Sequence, residues 1–290
     1  MKKTNVSMSF VLFFSIVLVF STTAAIHAQS APVDKVEVPL TDPSKPAEVR
    51  ISVISGSITV TGYSGKTVIV EAAAKIEEHG EEKEEEAEEE EPNKKTKGMF
   101  RIRNNSTGLN VEEENNVVDV KTQSFNRKID LTLKVPFKTS LKLRAVNNGE
   151  VTVEKVEGDL NVNHVNGPVT LKNVGGTVVA NTVNGDLTVT FEKIGPDKPM
   201  SFSTFNGDVD VTFPASAKFN LKLKTDRGEI YSDFELSVQA SPVKAEKTEK
   251  KEKGKFVVTF DKAVHALLNG GGEEATFKTF NGDIYIRKRK

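Results

Sequence analysis

The chain has 290 residues, with no Cys, no Trp, four His and 17 Phe, and its 40 basic and 41 acidic side chains leave a formal charge of -1. Without Cys there is no disulfide framework, no thiolate metal site and no cysteine nucleophile. A near-zero charge gives no general footprint for a phosphate backbone, so nucleic acid is not an expected partner, and 37% hydrophobic with 28% charged residues fit an ordinary globular chain.

The first element reads as an export signal. Lys2 and Lys3 precede an apolar run from Met8 to Phe20, and small residues lead to Ala28, so 1-28 is expected to be removed by a cut between Ala28 and Gln29. The apolar run is shorter than the roughly 20 residues a spanning helix needs. No second stretch is long enough, so the mature chain 29-290 is predicted to be one exported β-domain without a membrane span, in the periplasm, on the cell surface or outside the cell.

A first strand pattern follows in Ile54-Ser55-Gly56-Ser57-Ile58-Thr59-Val60. Residues 75-98 then change character, with 11 Glu and 5 Lys between Lys75 and Lys97. A later segment, 240-255, is similar, with 6 Lys and 3 Glu between Lys244 and Lys255. Opposite-sign interaction tails are one reading of this pair. Segments with so little to bury cannot offset their ordering entropy, so disordered, solvated inserts are the preferred one.

Between the inserts lies a repeat. Glycines fall at 149, 158, 167, 176 and 185, nine residues apart, and apolar residues return two, four and seven positions after each. Examples are Val151, Val153 and Val156, then Leu160, Val162 and Val165, then Val178, Ala180 and Val183. Alternating apolar positions predict strands with one buried face, and Asn-Gly or Gly-Gly supplies turns. A fixed short period predicts a parallel β-solenoid, in which each strand buries its face only by stacking on the next coil. With two units per 18-residue coil, Asn148, Asn166 and Asn184 form one column, as do Val165 and Val183. Such Asn side chains can bond along a ladder of strands ~4.8 Å apart.

The column continues in Phe205-Asn206-Gly207-Asp208, Asp226-Arg227-Gly228-Glu229 and Phe280-Asn281-Gly282-Asp283, and Phe205 and Phe280 are expected to fill the interior near the turns. The less regular outer segments, Ser124-Phe125-Asn126 before Ile129-Asp130-Leu131 among them, are expected to cap the stack. The strand Asp283 to Ile286 is expected to close it at the C-terminus. A longer duplication relates Leu133-Lys134-Val135-Pro136, Leu141-Lys142-Leu143 and Gly149-Glu150-Val151 to Val211-Thr212-Phe213-Pro214, Leu221-Lys222-Leu223 and Gly228-Glu229-Ile230.

The Val-Asn-Gly-Asp and Phe-Asn-Gly-Asp motifs, with a Pro turn and Leu-x-Leu before a Gly-Glu-Val strand, resemble the bacterial β-strand-repeat domain-of-unknown-function family labelled "putative adhesin". The resemblance covers roughly Glu48 to Ile286 outside the inserts. It implies an exported or envelope-facing solenoid and brings no catalytic residue with it.

Reactive constellations are few. His27 lies in the signal and His79 in the acidic insert, while His164 and His265 lack a sequence partner and read as structural. No Gly-x-Ser-x-Gly, His-Glu-x-x-His or phosphate loop occurs. Glu150, Asp186, Asp208 and Glu229 form an acidic column, and Asp208 and Asp210 share an outward face. Calcium binding or glycan cleavage is one reading of these acids, and turn chemistry is the other. The Asp follows its Gly directly, unlike the calcium β-roll spacing. Outward Thr152, Asn161, Asn163, Thr170, Thr188, Thr190, Ser201 and Ser203 make a polar face suited to a glycan or protein.

The expected function is a non-enzymatic, adhesin-like envelope or surface module that presents this face to a macromolecule. No catalytic, cofactor or metal residue is assigned. The alternatives are a polysaccharide-cleaving β-helix enzyme using Asp208 and Asp210, and a structural or stress-related envelope component without a ligand.

Overall fold

The computed structural model describes residues 33–75, 107–122, 127–147, 149–195, 198–239 and 263–290. The export segment with its cut after Ala28, the acidic insert beyond Lys75, the 240-255 insert, Ser124-Phe125-Asn126, Asn148, His27 and His79 lie outside the described residues.

The described residues form strands and no helix, and none of them forms a helix long and apolar enough to cross a membrane. The first strands are β1 (Val33–Pro39), β2 (Ala47–Ser55), β3 (Ile58–Tyr63), β4 (Thr67–Lys75), β5 (Leu109–Glu114), β6 (Val117–Thr122) and β7 (Lys128–Pro136). The repeat supplies β8 (Thr139–Asn147), β9 (Val151–Glu154), β10 (Leu160–His164), β11 (Val169–Val174), β12 (Val178–Asn181), β13 (Leu187–Phe191), β14 (Met200–Ser203) and β15 (Val209–Phe213). The remainder are β16 (Phe219–Arg227), β17 (Ile230–Ser232), β18 (Leu236–Gln239), β19 (Val264–Leu268), β20 (Glu274–Asn281) and β21 (Ile284–Lys288).

Each coil gives one strand to each of two sheets. The first sheet runs β1-β4-β7-β3-β9-β11-β13-β15-β21-β17 and the second β18-β19-β16-β20-β14-β12-β10-β8-β2-β6-β5. In the middle the pairs are parallel and in the expected register: Leu160 lies opposite Val178, and Val169 opposite Leu187. Alternate residues face inward, so Val151, Val153, Leu160, Val162, Leu187 and Val189 are buried between the sheets. The interior is one apolar cluster, thickened by Phe191, Phe202, Phe213, Phe219 and Phe277, whose neighbouring ring centroids lie 5.0 to 6.4 Å apart.

The fold departs from a wholly parallel solenoid at its ends. The pairs β1–β4, β4–β7, β5–β6, β16–β19 and β18–β19 are antiparallel, which makes both sheets mixed. One cause is local: Asn115 and Asn116 both adopt left-handed φ, 54 and 64°, the two-residue turn that reverses β5 into β6. The coils also do not stack in chain order. The coil β2–β3 sits between β6–β7 and β8–β9, and β20–β21 sits between β14–β15 and β16–β17.

The segment Asp283 to Ile286 is therefore not the closing strand. It lies largely in β21, which pairs with β15 on one side and β17 on the other. Ile284 and Ile286 are fully enclosed by those neighbours, whereas the true end is made by β16–β17 with β18 and β19, over buried Phe219 and Phe234.

Candidate functional site

The site lies where each second-sheet strand runs into its glycine turn. In β10, Leu160, Val162 and His164 point inward, and strict alternation then sends Val165 outward. The same holds in neighbouring coils: Val146, Val165, Val183 and Phe205 are exposed, with Val183 at 41% and Phe205 at 49%, and Phe280 is half-buried. Phe205 and Phe280 stack on each other, centroids 4.8 Å apart and planes 1° from parallel, with the Arg227 guanidinium 5.5 Å from the Phe280 centroid.

This corrects the expected interior placement of Phe205 and Phe280, and it puts the Val165 and Val183 column on the surface. Val156 and Val174 hold the same offset from their glycines yet are buried. The difference is conformational. Lys155 and Asn173 have φ of 57 and 52°, a left-handed step that adds one residue before the next inward position. The nine-residue spacing thus conceals an 18-residue coil with two unlike halves.

Beside the apolar column runs an asparagine ladder. The Nδ2 groups of Asn166, Asn184, Asn206 and Asn281 donate to Oδ1 of Asn147, Asn166, Asn184 and Asn206, at 2.9, 2.8, 2.8 and 2.6 Å. The first described member is Asn147, which pairs with Ser55 and accepts from Asn166; the expected member, Asn148, lies outside the described residues. On the other flank, two positions earlier along each strand, Asn181 Nδ2 donates to Asn163 Oδ1 at 3.2 Å and Ser203 Oγ donates to Asn181 Oδ1 at 2.5 Å. An exposed apolar rail is therefore bordered on both sides by hydrogen-bonded polar rails, in register across the coils. Arg144 precedes this neutral stretch and Lys278 follows it.

The acidic column has another job. Oδ1 of Asp186 accepts from the Asp208 backbone N–H at 2.9 Å, Asp208 from that of Asp283 at 2.8 Å, and Asp283 from that of Glu229 at 2.8 Å. Each carboxylate caps the turn of the next coil, the Asx chemistry of turns extended between coils. Asp210 receives Arg287 Nε at 2.8 Å on both oxygens, and its partner's positive charge is held more firmly through that bond. Among the described residues no group of three or more His, Asp or Glu is placed to hold a metal.

His164 is 3% exposed, and neither ring nitrogen reaches a hydrogen-bond partner. Burial pushes its pKa below the ordinary value, an effect the nearby Pro168 and Gly167 backbone only partly offsets. His265 lies in β19 opposite Lys222. The outer face of the first sheet carries an in-register row Thr132, Thr59, Thr152, Thr170 and Thr188. The row ends at Asp210, Tyr285 and Tyr231, and the two tyrosines stack at 5.2 Å. Their meeting had no sequence signal, since it depends on β21 lying beside β17.

The fold and surface define an all-β, β-solenoid-like repeat protein with an exposed, periodic corner. Residues 22–262 match the Toastrack DUF4097 family, and the chain belongs to it. Two solved structures are similar. A putative cell adhesion protein from Clostridium sporogenes is 12% identical, with a TM-score of 0.48, covering 90% of this chain and 100% of its own. A putative adhesin from Bacteroides fragilis is 10% identical, with a TM-score of 0.40, covering 90% of this chain and 98% of its own. No curated protein matches the chain.

Proposed function

We propose that this protein is an exported, non-enzymatic module of the cell envelope or surface that engages a macromolecule through the corner of its second sheet. In this reading residues 1-28 are removed and 29-290 form one β-solenoid domain. The observation that carries it is the column Val146, Val165, Val183, Phe205 and Phe280, which leaves large apolar side chains at the surface in a continuous line. Single exposed apolar residues are ordinary, whereas a contiguous strip rimmed by polar groups marks an interaction site.

The polar rims suit the same role. An asparagine amide has two N–H groups and two lone pairs on oxygen, and a ladder uses one of each within the column, so the other pair remains for a partner. The carboxylates Asp208 and Asp210 are engaged by the Asp283 backbone and by Arg287. That supports a structural task for them rather than an acid–base pair.

The test is a screen of the full chain against purified envelope glycans, peptidoglycan and matrix proteins by biolayer interferometry, with product release followed in the same wells. Binding without turnover, lost in Val183→Asp and Phe205→Ser at unchanged Tm, is the expected result. Turnover, or binding that both variants retain, would overturn the proposal.

A further inference from the structure

The three rails repeat with the coils, and that repeat specifies a class of partner. Adjacent coils are one strand spacing apart, ~4.8 Å, and the Asn163 rail lies two residues, about 7 Å, from the Val165 rail. The surface therefore offers, once per coil, an apolar contact with amide or hydroxyl groups on either side: Asn163, Val165 and Asn166, then Asn181, Val183 and Asn184, then Ser203, Phe205 and Asn206. None of these groups is charged, and the flanking cations Arg144 and Lys278 stand outside the three central coils.

We infer that the corner binds an extended, neutral, β-1,4-linked glycan laid along the solenoid axis, with about one sugar per coil. A pyranose ring has an apolar C–H face and a rim of hydroxyls that both donate and accept. In a β-1,4-linked ribbon each ring advances by a length comparable to the strand spacing, so successive rings meet successive coils. The apolar face rests on the Val–Phe rail while the hydroxyls meet the free N–H and free lone pair of each amide. An α-1,4-linked chain coils and loses this register after one or two units.

In the central coils the nearest charges are the carboxylates Asp186 and Asp208, two residues past Asn184 and Asn206, which disfavour a polyanion, and the rails themselves give a charged polymer only neutral groups. Because Phe205 and Phe280 stack on each other, the contact is a continuous rail rather than one aromatic platform, and affinity must accumulate along it. The inference rests on the corner being the interaction site. It adds the chemistry of the partner.

Isothermal titration of the full chain with cellohexaose, chitohexaose and maltohexaose, and with shorter members of the first two series, tests it. At least one β-1,4-linked hexasaccharide is expected to bind, with affinity rising with chain length and levelling at about five sugars, one for each of Val146, Val165, Val183, Phe205 and Phe280. Maltohexaose is expected to bind about tenfold more weakly or not at all. Val183→Lys should weaken binding about tenfold at unchanged Tm, Asn181→Ala should weaken it about tenfold with a small fall in Tm from its two lost ladder bonds, and Thr170→Lys on the opposite sheet should leave binding unaltered.

Equal binding of maltohexaose, no dependence on length, or equal loss in Thr170→Lys would overturn the inference. If no oligosaccharide binds but a protein or anionic polymer binds through Val183 and Phe205, the glycan is wrong and the corner remains the interaction site. If nothing that binds is sensitive to Val183 or Phe205, both readings fail.

Discussion

At the scale of single residues, four turns are held by a column of threonines, Thr182, Thr204 and Thr279 buried and Thr225 half-buried, and the coils of His164 and Ala145 differ. Oγ1 of Thr182, Thr204, Thr225 and Thr279 donates to the carbonyls of Gly167, Gly185, Gly282 and Gly207 at 3.0, 2.9, 2.9 and 2.9 Å. His164 occupies the same place in its coil, opposite Ala145, and makes no such bond. His164→Thr is expected to supply the missing hydroxyl and raise stability by about 0.5–2 kcal/mol, read as a rise of a few degrees in Tm. The imidazole also makes stability depend on pH. Its folded pKa lies below the ordinary 6.5, so the unfolded chain takes up the proton first. Stability is full above about pH 6.5 and falls as pH drops from there towards the lowered folded value. The decline should be absent from the pH dependence of Tm in His164→Thr; a decline of equal size in the variant would assign it to other groups.

At the scale of the element, the coil is defined by close approach as much as by strand pattern. A Cβ on Gly185, where φ is 152°, would lie 2.3 Å from the carbonyl oxygen of Gly167 in the coil beneath. Gly185→Ala is therefore expected to separate two coils at their tightest point and cost about 3 kcal/mol or more by chemical denaturation, whereas Gly270→Ala meets nothing within 4 Å and should lose only its left-handed preference, about 1 kcal/mol. The glycine spacing made these turns legible in the sequence, and alternation made the strands legible. The outward turn of Val165 and Val183 was not, because it depends on where a left-handed residue interrupts alternation. Lys155 and Asn173 adopt that conformation, yet neither residue type announces it as glycine would. The position of Asn147 in the ladder was hidden for a similar reason: it shows only in the pairing with Ser55. Of this corner, Phe205 and Phe280 are expected inside from sequence and lie at the surface, while the amide ladder is where the asparagine spacing predicts it.

At the scale of the whole molecule, two coils lie away from the places their chain position suggests. Sequence periodicity reports that a segment can stack and says nothing about which neighbour it takes, since any inward-facing row of Val, Ile and Phe fits any other. The long connections through β4–β7 and β17–β19 leave room for a return, and β2–β3 and β20–β21 become interior coils as a result. The prediction is a difference between strands near the two ends of the described chain. Ile286→Ala in β21, enclosed on both sides, should cost about 2–5 kcal/mol in denaturant unfolding, and Val36→Ala in the exposed edge strand β1 less than about 1 kcal/mol. Similar costs at the two sites would mean that β21 does not lie between β15 and β17.

The interior position of β20–β21 also bears on how the molecule is made. Residues 209–232 are synthesised first, but β15 and β17 acquire their shared neighbour only when residues 284–288 arrive to fill the slot between them. A nascent chain halted before Glu274 lacks the Phe277 ring that packs on Phe202 and Phe213 in the finished fold. Pairings between segments so far apart in sequence form late. The slot between β15 and β17 can therefore be filled only after residues 284–288 have been translated.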